Sequence, residues 1–277
     1  MRRMTATTPT LSDLLDTAIA HDADGTDWDD RKYSKLRSQL FAQPTGPLFD
    51  ALTELCGGDD ADRRCLGLQL LGQLAGGSEE TERLQASLPA VLTAVVDSDP
   101  DVATAGIHAL AHLSANGVPW DAKVLRKAVG SQDDVLRHAA AAALGSGSIC
   151  DRDPEAVRLM LFLVVDPDDD VRNWAVFGLG VQSNADSDLI RNALRKAAHD
   201  ENHEIRGEAL TGLAKRADPD ALKLISQELS AEEASLLAVE AAEELGHPDL
   251  VEPLKALRKE VPDEAEAIDR AIAACGG

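Results

Sequence analysis

Aromatic side chains are scarce in this chain: its 277 residues include three Trp, one Tyr and four Phe. That is too few for an extended base-stacking platform. Cations are also outnumbered, 27 Lys and Arg against 49 Asp and Glu, for a net charge of −22. Phosphate affinity comes mainly from clustered Lys and Arg, so this balance argues against a binder of free nucleic acid. No run of 18 apolar residues occurs, and no helical membrane span is expected. Residues 1–10 carry charge with no apolar stretch behind them, so no secretory leader is expected either. The cysteines, Cys56, Cys65, Cys150 and Cys275, form no CxxC pair and no disulfide-framework spacing, which fits a reducing cytoplasm. Glycine-rich phosphate loops and nucleophile elbows are missing as well. The sequence therefore assigns no catalytic residue, no metal and no cofactor.

What the chain does contain is a repeat. Segments 60–72, 100–111, 133–145, 168–180, 202–214 and 234–246 align, and one row is leucine in all six: Leu71, Leu110, Leu144, Leu179, Leu213 and Leu245. Four residues earlier the row is always small: Gly67, Gly106, Ala140, Ala175, Ala209 and Ala241. Further apolar rows include Val102, Leu136, Val171 and Ile205. Rows at i, i+4, i+5 and i+8 share one face of an α-helix, and the small row lets a neighbouring helix approach closely. A second amphipathic stretch follows each first one, near 80–95, 120–129, 154–165, 186–198, 218–229 and 249–260. Asp99-Pro100, Asp153-Pro154, Asp166-Pro167 and Asp218-Pro219 each offer an Asp cap with Pro at the first helical position. The repeating unit is a helical hairpin of about 35 residues.

The pattern D-x-x-V/I-R-x-x-A-x-x-x-L-G, clearest at 168–180 and echoed at 200–214, resembles the HEAT-repeat family, in particular the short HEAT-like repeats of the bilin-lyase type. The resemblance covers 59–260. It implies an all-α fold, an α-solenoid forming a right-handed superhelix of about seven hairpins. On this reading 1–277 is a single array. Residues 1–58 form an N-terminal cap and a degenerate first repeat with Leu40 in the leucine row, 59–260 hold six recognisable repeats, and 261–277 form a C-terminal capping helix. All six row leucines are expected to be buried.

Several constellations could carry chemistry on such a scaffold. The motif arginine, Arg64, Arg137, Arg172 and Arg206, is replaced by Ala103 and Ala238 in two repeats. Because it recurs with the repeat, it reads as pairing with the acidic loop before each first helix, as at Asp134 or at 168–170. His108 and His112 stand one helical turn apart with no third ligand nearby in sequence. The loop 199–204 is rich in ligand-type side chains but matches the acidic turns of other repeats. A two-iron hydroxylase family on this scaffold uses several His-Glu pairs, whereas here only His203-Glu204 forms one. The second helices carry a possible anion stripe on the concave side: Lys123, Arg126, Lys127, Arg158, Arg191 and Arg195. Acidic first turns and basic last turns in those helices also suit the helix dipole.

Trp174 and Phe177 are the candidate partner-binding residues. Their rows fall about 150° from the centre of the buried face at 3.6 residues per turn, so both rings are expected to face solvent beside Ala139 and Ala142. The leading functional expectation is a non-enzymatic interaction scaffold, such as an acidic inhibitor or immunity-type binder of a basic protein, existing as a monomer or weakly self-associating. The alternative is a bilin-lyase-like enzyme or chaperone holding a small anionic ligand in the groove. Nucleic-acid binding or alkylated-DNA repair is disfavoured by charge.

Overall fold

The computed structural model describes residues 9–23, 31–75, 81–146, 148–231 and 235–277. The described residues are helical throughout, with no strand among them, and they gather in two compact units, Met1–Trp120 and Asp121–Gly277. The first unit holds α1 (Leu11–Ala23), α2 (Arg31–Phe41), α3 (Thr45–Cys56), α4 (Ala61–Ala75), α5 (Thr81–Val95) and α6 (Pro100–Ala115). In it α4 packs on α3 and α6, and α5 packs on α6. The second unit begins with a 3₁₀ turn leading into α7 (Arg126–Val129), then α8 (Asp134–Gly145), α9 (Pro154–Leu163) and α10 (Asp169–Phe177). It continues with α11 (Asp188–Ala197), α12 (His203–Lys215), α13 (Ala221–Leu229), α14 (Leu237–Leu245), α15 (Val251–Glu260) and α16 (Ala265–Ala274). There the first helices α8, α10, α12 and α14 form one packed row, which α16 closes. These sixteen helices follow the hairpin repeat expected of an α-solenoid.

The conserved spacing of the sequence rows explains the packing. Leu71, Leu110, Leu144, Leu179 and Leu213 are fully buried, as is Leu40. Leu245 departs from the expectation and is only half-buried. It ends α14, the last of the first helices, and the capping helix α16 lies beside that helix in place of another hairpin. The small row brings helices to near backbone contact: a Cβ on Gly106 would sit 2.8 Å from the Val95 amide nitrogen of α5.

Two of the four Asp-Pro signals act as caps. Asp99 accepts from the amides of Asp101 and Val102, and Asp153 accepts from that of Glu155. Asp166 and Asp218 likewise accept from the amides two residues on, those of Asp168 and Asp220. Their helices begin only at Asp169 and Ala221, so these two stand ahead of the cap position. Asp166 pairs with Arg137, and Asp218 pairs with Arg191 and Arg195. Helix α10 is capped instead by Asp168, whose side chain accepts from the Val171 amide.

Past Phe177, α10 widens into a π turn, Gly178–Gln182. Widened turns leave carbonyls without helical partners. The buried Arg216 guanidinium meets them, donating to Leu179 O (2.6 Å), Gly180 O (2.8 Å) and Ser183 O (3.1 Å). From the other side, Asp151 accepts from the Ser183 hydroxyl and the amides of Asn184 and Ala185.

Candidate functional site

The motif arginines form a ladder, and each rung is built the same way. Arg137 donates to the loop carbonyls of Ser131 and Gln132, five and six residues back, and forks onto both oxygens of Asp166 at 2.8 and 2.9 Å. Arg172 repeats this with Asp166 O, Pro167 O and the Asp200 carboxylate, and Arg206 with Asp200 O, Glu201 O and Glu228. The expected partner was the acidic loop of the same repeat. The loop supplies carbonyls, and the forked carboxylate comes from further along the chain; Arg172 also bonds Asp169 of its own loop, as expected. The reason is geometric: a guanidinium that already binds its own loop carbonyls presents its remaining fork outward. Burial pushes the Asp200 carboxyl up, but hydrogen bonds from Arg172 and the Asn202 amide outweigh it and leave the group below its usual value.

The second helices place most of the candidate anion stripe beside carboxylates. Arg126 and Arg158 both meet Glu155 at 2.6 Å, and those two bonds hold its carboxyl at about 2. Arg191 pairs with Asp186 and Asp218, Arg195 with Asp218 and Asp220, and Lys123 lies 3.5 Å from Asp121. Lys127 is exposed at the end of the series. The same helices present what the sequence reading missed: Phe162, Val165 and Leu189 are 60%, 71% and 68% exposed. The available signal was the run 159–165, LMLFLVV, which is apolar around more of a helix than one buried face requires.

On the first helices, Trp174 is 38% exposed, and Phe177 is half-buried, short of the expected exposure. Trp174 packs edge-to-face on Phe177 at 5.8 Å between ring centroids and on His138 at 6.0 Å. Of the two alanines expected beside them, Ala139 is fully buried and Ala142 is half-buried. The row containing Trp174 lies on the flank where successive first helices meet, so Leu66 and Ala105 in the same row are buried too.

This architecture has close counterparts. Residues 156–246 match the family model for HEAT repeats. A stretch of 120 residues, 43% of this chain, is 35% identical to protein YibA of Escherichia coli (strain K12). By sequence the chain spans 42% of that relative, less than half its length. The fold resembles the crystal structure of E. coli YibA with a TM-score of 0.66 and 22% identity, over 99% of this chain and 98% of that one. It also resembles the archaeal HEAT-like repeats protein from Thermococcus onnurineus NA1, with a TM-score of 0.57 and 18% identity over 96% and 99% of the two chains. Residues 156–246 of this chain are HEAT repeats.

Elsewhere the chain turns its reactive groups to structural use. Asp200 and Asn202, in the ligand-rich loop, respectively hold Arg172 and cap α12, and no cluster of three metal-ligating side chains is found among the described residues. His108 and His112 are exposed on α6, with the His112 ring against Gly72. Burial pushes the Cys56 and Cys150 thiols up to about 12, far from thiolate chemistry. No described helix is long and apolar enough to cross a membrane.

Proposed function

We propose that this HEAT-repeat protein is a non-catalytic cytoplasmic scaffold for another protein, one of basic character, and that Trp174 and Phe177 belong to the contact surface. The observation that carries the reading is the exposed Trp174 ring, fixed edge-on between Phe177 and His138. Trp is enriched among the anchors that dominate binding energy, and a ring already held in place loses little freedom on contact. The net charge of −22 supports a basic partner, since complementary charge speeds encounter and rejects acidic competitors. The rival reading, a small anionic ligand held by the concave cations, is weakened because five of its six cations already face carboxylates.

The test is capture from a cytoplasmic extract by the immobilised wild-type chain and by Trp174→Ala. We expect the wild type to retain a basic protein that is released as salt rises, because exposed charges are screened beyond about 8–10 Å near physiological ionic strength. Trp174→Ala should lose that protein with its thermal midpoint unchanged. A large drop in midpoint with capture intact would make the ring simple packing and remove it from the proposed surface.

A further inference from the structure

Phe162, Val165 and Leu189 are the most exposed large apolar side chains among the described residues, and they stand together. Val165 is the ridge between two surface grooves. One, of about 500 Å³, runs between α9 and α11 and is walled by Leu161, Val165, Leu189 and Ala193. The other, of about 440 Å³, lies between the ends of α7 and α9 and is walled by Val129, Phe162 and Val165. Each is bordered by one rung of the ladder, Arg172–Asp200 in the first and Arg137–Asp166 in the second. Beyond those rungs, the loops that enter the first helices present exposed Asp133, Asp134, Asp169, Asp170 and Glu201. An apolar floor with an acidic rim has formed on a surface that folding alone would leave polar.

We infer that the two grooves flanking Val165 seat an amphipathic, basic helix of a partner protein, one large apolar residue in each groove and its Lys or Arg side chains toward the acidic rim. A helix fits better than an extended segment for a physical reason. An extended segment must have its backbone N–H and C=O groups satisfied by the surface, and a surface made of helices offers no strand edge for that purpose. Of the charged side chains that could substitute, Arg137, Asp166, Arg172 and Asp200 already hold one another, which leaves the exposed Lys196 at the edge of the first groove. A helix satisfies its own backbone. Its spacing also fits: residues i and i+7 are about 10.5 Å apart along the axis, and packed neighbouring helices lie about 8–10 Å apart.

This inference rests on the scaffold reading but uses a different face from Trp174, so the two can fail separately. The probe is a labelled synthetic helix of Ala and Lys with two leucines at i and i+7, followed by fluorescence anisotropy. Control helices move the second leucine to i+5 or replace Lys by Glu. We expect the i+7 Lys helix to bind at least about tenfold more tightly than either control, and Val165→Ser/Leu189→Ser to lose about tenfold or more, as for truncated apolar anchors. Both replaced side chains are largely exposed, so the thermal midpoint should hold. Trp174→Ala should bind the probe like the wild type. No binding to the wild type, equal binding of the i+5 control, or undiminished binding by the double variant would each overturn the inference. Loss on Trp174→Ala alone would overturn it too, while leaving the scaffold reading in place.

Discussion

The two units solve one packing problem in different ways. In the first, the small row is glycine, and it draws each first helix onto the second helix before it: a Cβ on Gly67 would lie 2.9 Å from Leu55 Cβ of α3, and Gly106 abuts Ala94 and Val95 of α5. In the second unit that row is alanine, and the glycines have moved to the neighbouring rows. There they join successive first helices to each other. A Cβ on Gly178 would lie 2.9 Å from Gly145 Cα, and one on Gly212 would lie 2.6 Å from Gly180 Cα. The ion-pair ladder follows the same division. In the first unit Arg64 reaches Asp97 at 3.4 Å, and the next repeat has Ala103 in its place. The second unit forks Arg137, Arg172 and Arg206 onto carboxylates in succession. In the first unit the glycine contacts join each first helix to the preceding repeat's second helix. Gly72 alone among its row glycines faces the next first helix, where a Cβ would lie 3.3 Å from Ala109 Cα. A longer stack needs its repeat-to-repeat spacing fixed.

The ladder gives the largest expected difference between the units. Arg137 and Asp166 are both buried, so Arg137→Ala leaves a carboxylate without its cation and frees two loop carbonyls. The expected cost is about 3–5 kcal/mol in urea denaturation. Arg64→Ala should cost about 1 kcal/mol, because its ion pair is longer and not forked. Equal costs would mean that the division between the units is not energetic. Acid should separate them as well. Asp200 is held below its usual 3.8, so its contribution is complete above that value and lost as pH falls through the depressed folded value.

Much of this was legible in the sequence, and the failures have physical causes. The leucine and small rows recur at helical spacing, so they placed every first helix, and five of the six row leucines are buried as expected. The arginine partners were legible only in part: Asp169 does pair with Arg172, but the forked carboxylate lies 28 or 29 residues away for Arg172 and Arg137, and each loop holds several candidates. The Trp174 row was judged on an isolated helix. In a stack the flanks are covered by neighbouring first helices, which is why Leu66, Ala105 and Ala139 are buried and Phe177 is half-buried. Phe162 and Leu189 fell inside the second amphipathic stretches and were not singled out, since an apolar residue on a helix gives no sign of whether a neighbour covers it. Arg216 lies outside the repeated rows, and nothing in its local sequence announces a buried guanidinium serving a π turn.

A smaller effect should show where the glycines act. Gly106→Ala and Gly212→Ala each drive a Cβ into backbone, and each is expected to cost about 1–3 kcal/mol. The distinction lies in coupling. Gly212 and the Arg172–Asp200 pair both span α10 and α12, so wedging those helices apart should weaken the pair. A double-mutant cycle of Gly212→Ala with Arg172→Ala should then show about 0.5–1 kcal/mol of non-additivity. Gly106 abuts α5 while Arg64 ties α4 to Asp97, so the corresponding cycle in the first unit should be additive. Additivity in both cycles would break the link drawn between glycine contacts and ladder.

The smallest expected change concerns the row that holds buried Leu66 and Ala105 in the first unit and Trp174, Glu208 and Glu240 in the second. Burial first, then the charges of Glu240 and Glu204, raise the Glu208 carboxyl from 4.5 to about 7. A folded value above the unfolded one means that the folded state holds the proton more tightly. The stabilising contribution is therefore complete below about pH 4.5 and declines as pH rises toward about 7, where ionised Glu208 faces the like charges of Glu240 and Glu204. Glu208→Gln removes that ionisation. Its thermal midpoint should exceed the wild type's above pH 7, and the gap should close as pH falls to 4.5. In the first unit Ala105 occupies the same row with no charge to lose, so Ala105→Ser should leave the pH dependence of the midpoint unchanged. A Glu208→Gln gap that is constant across this range would show that the side chain acts by packing, and the two units would then differ in that row by shape alone.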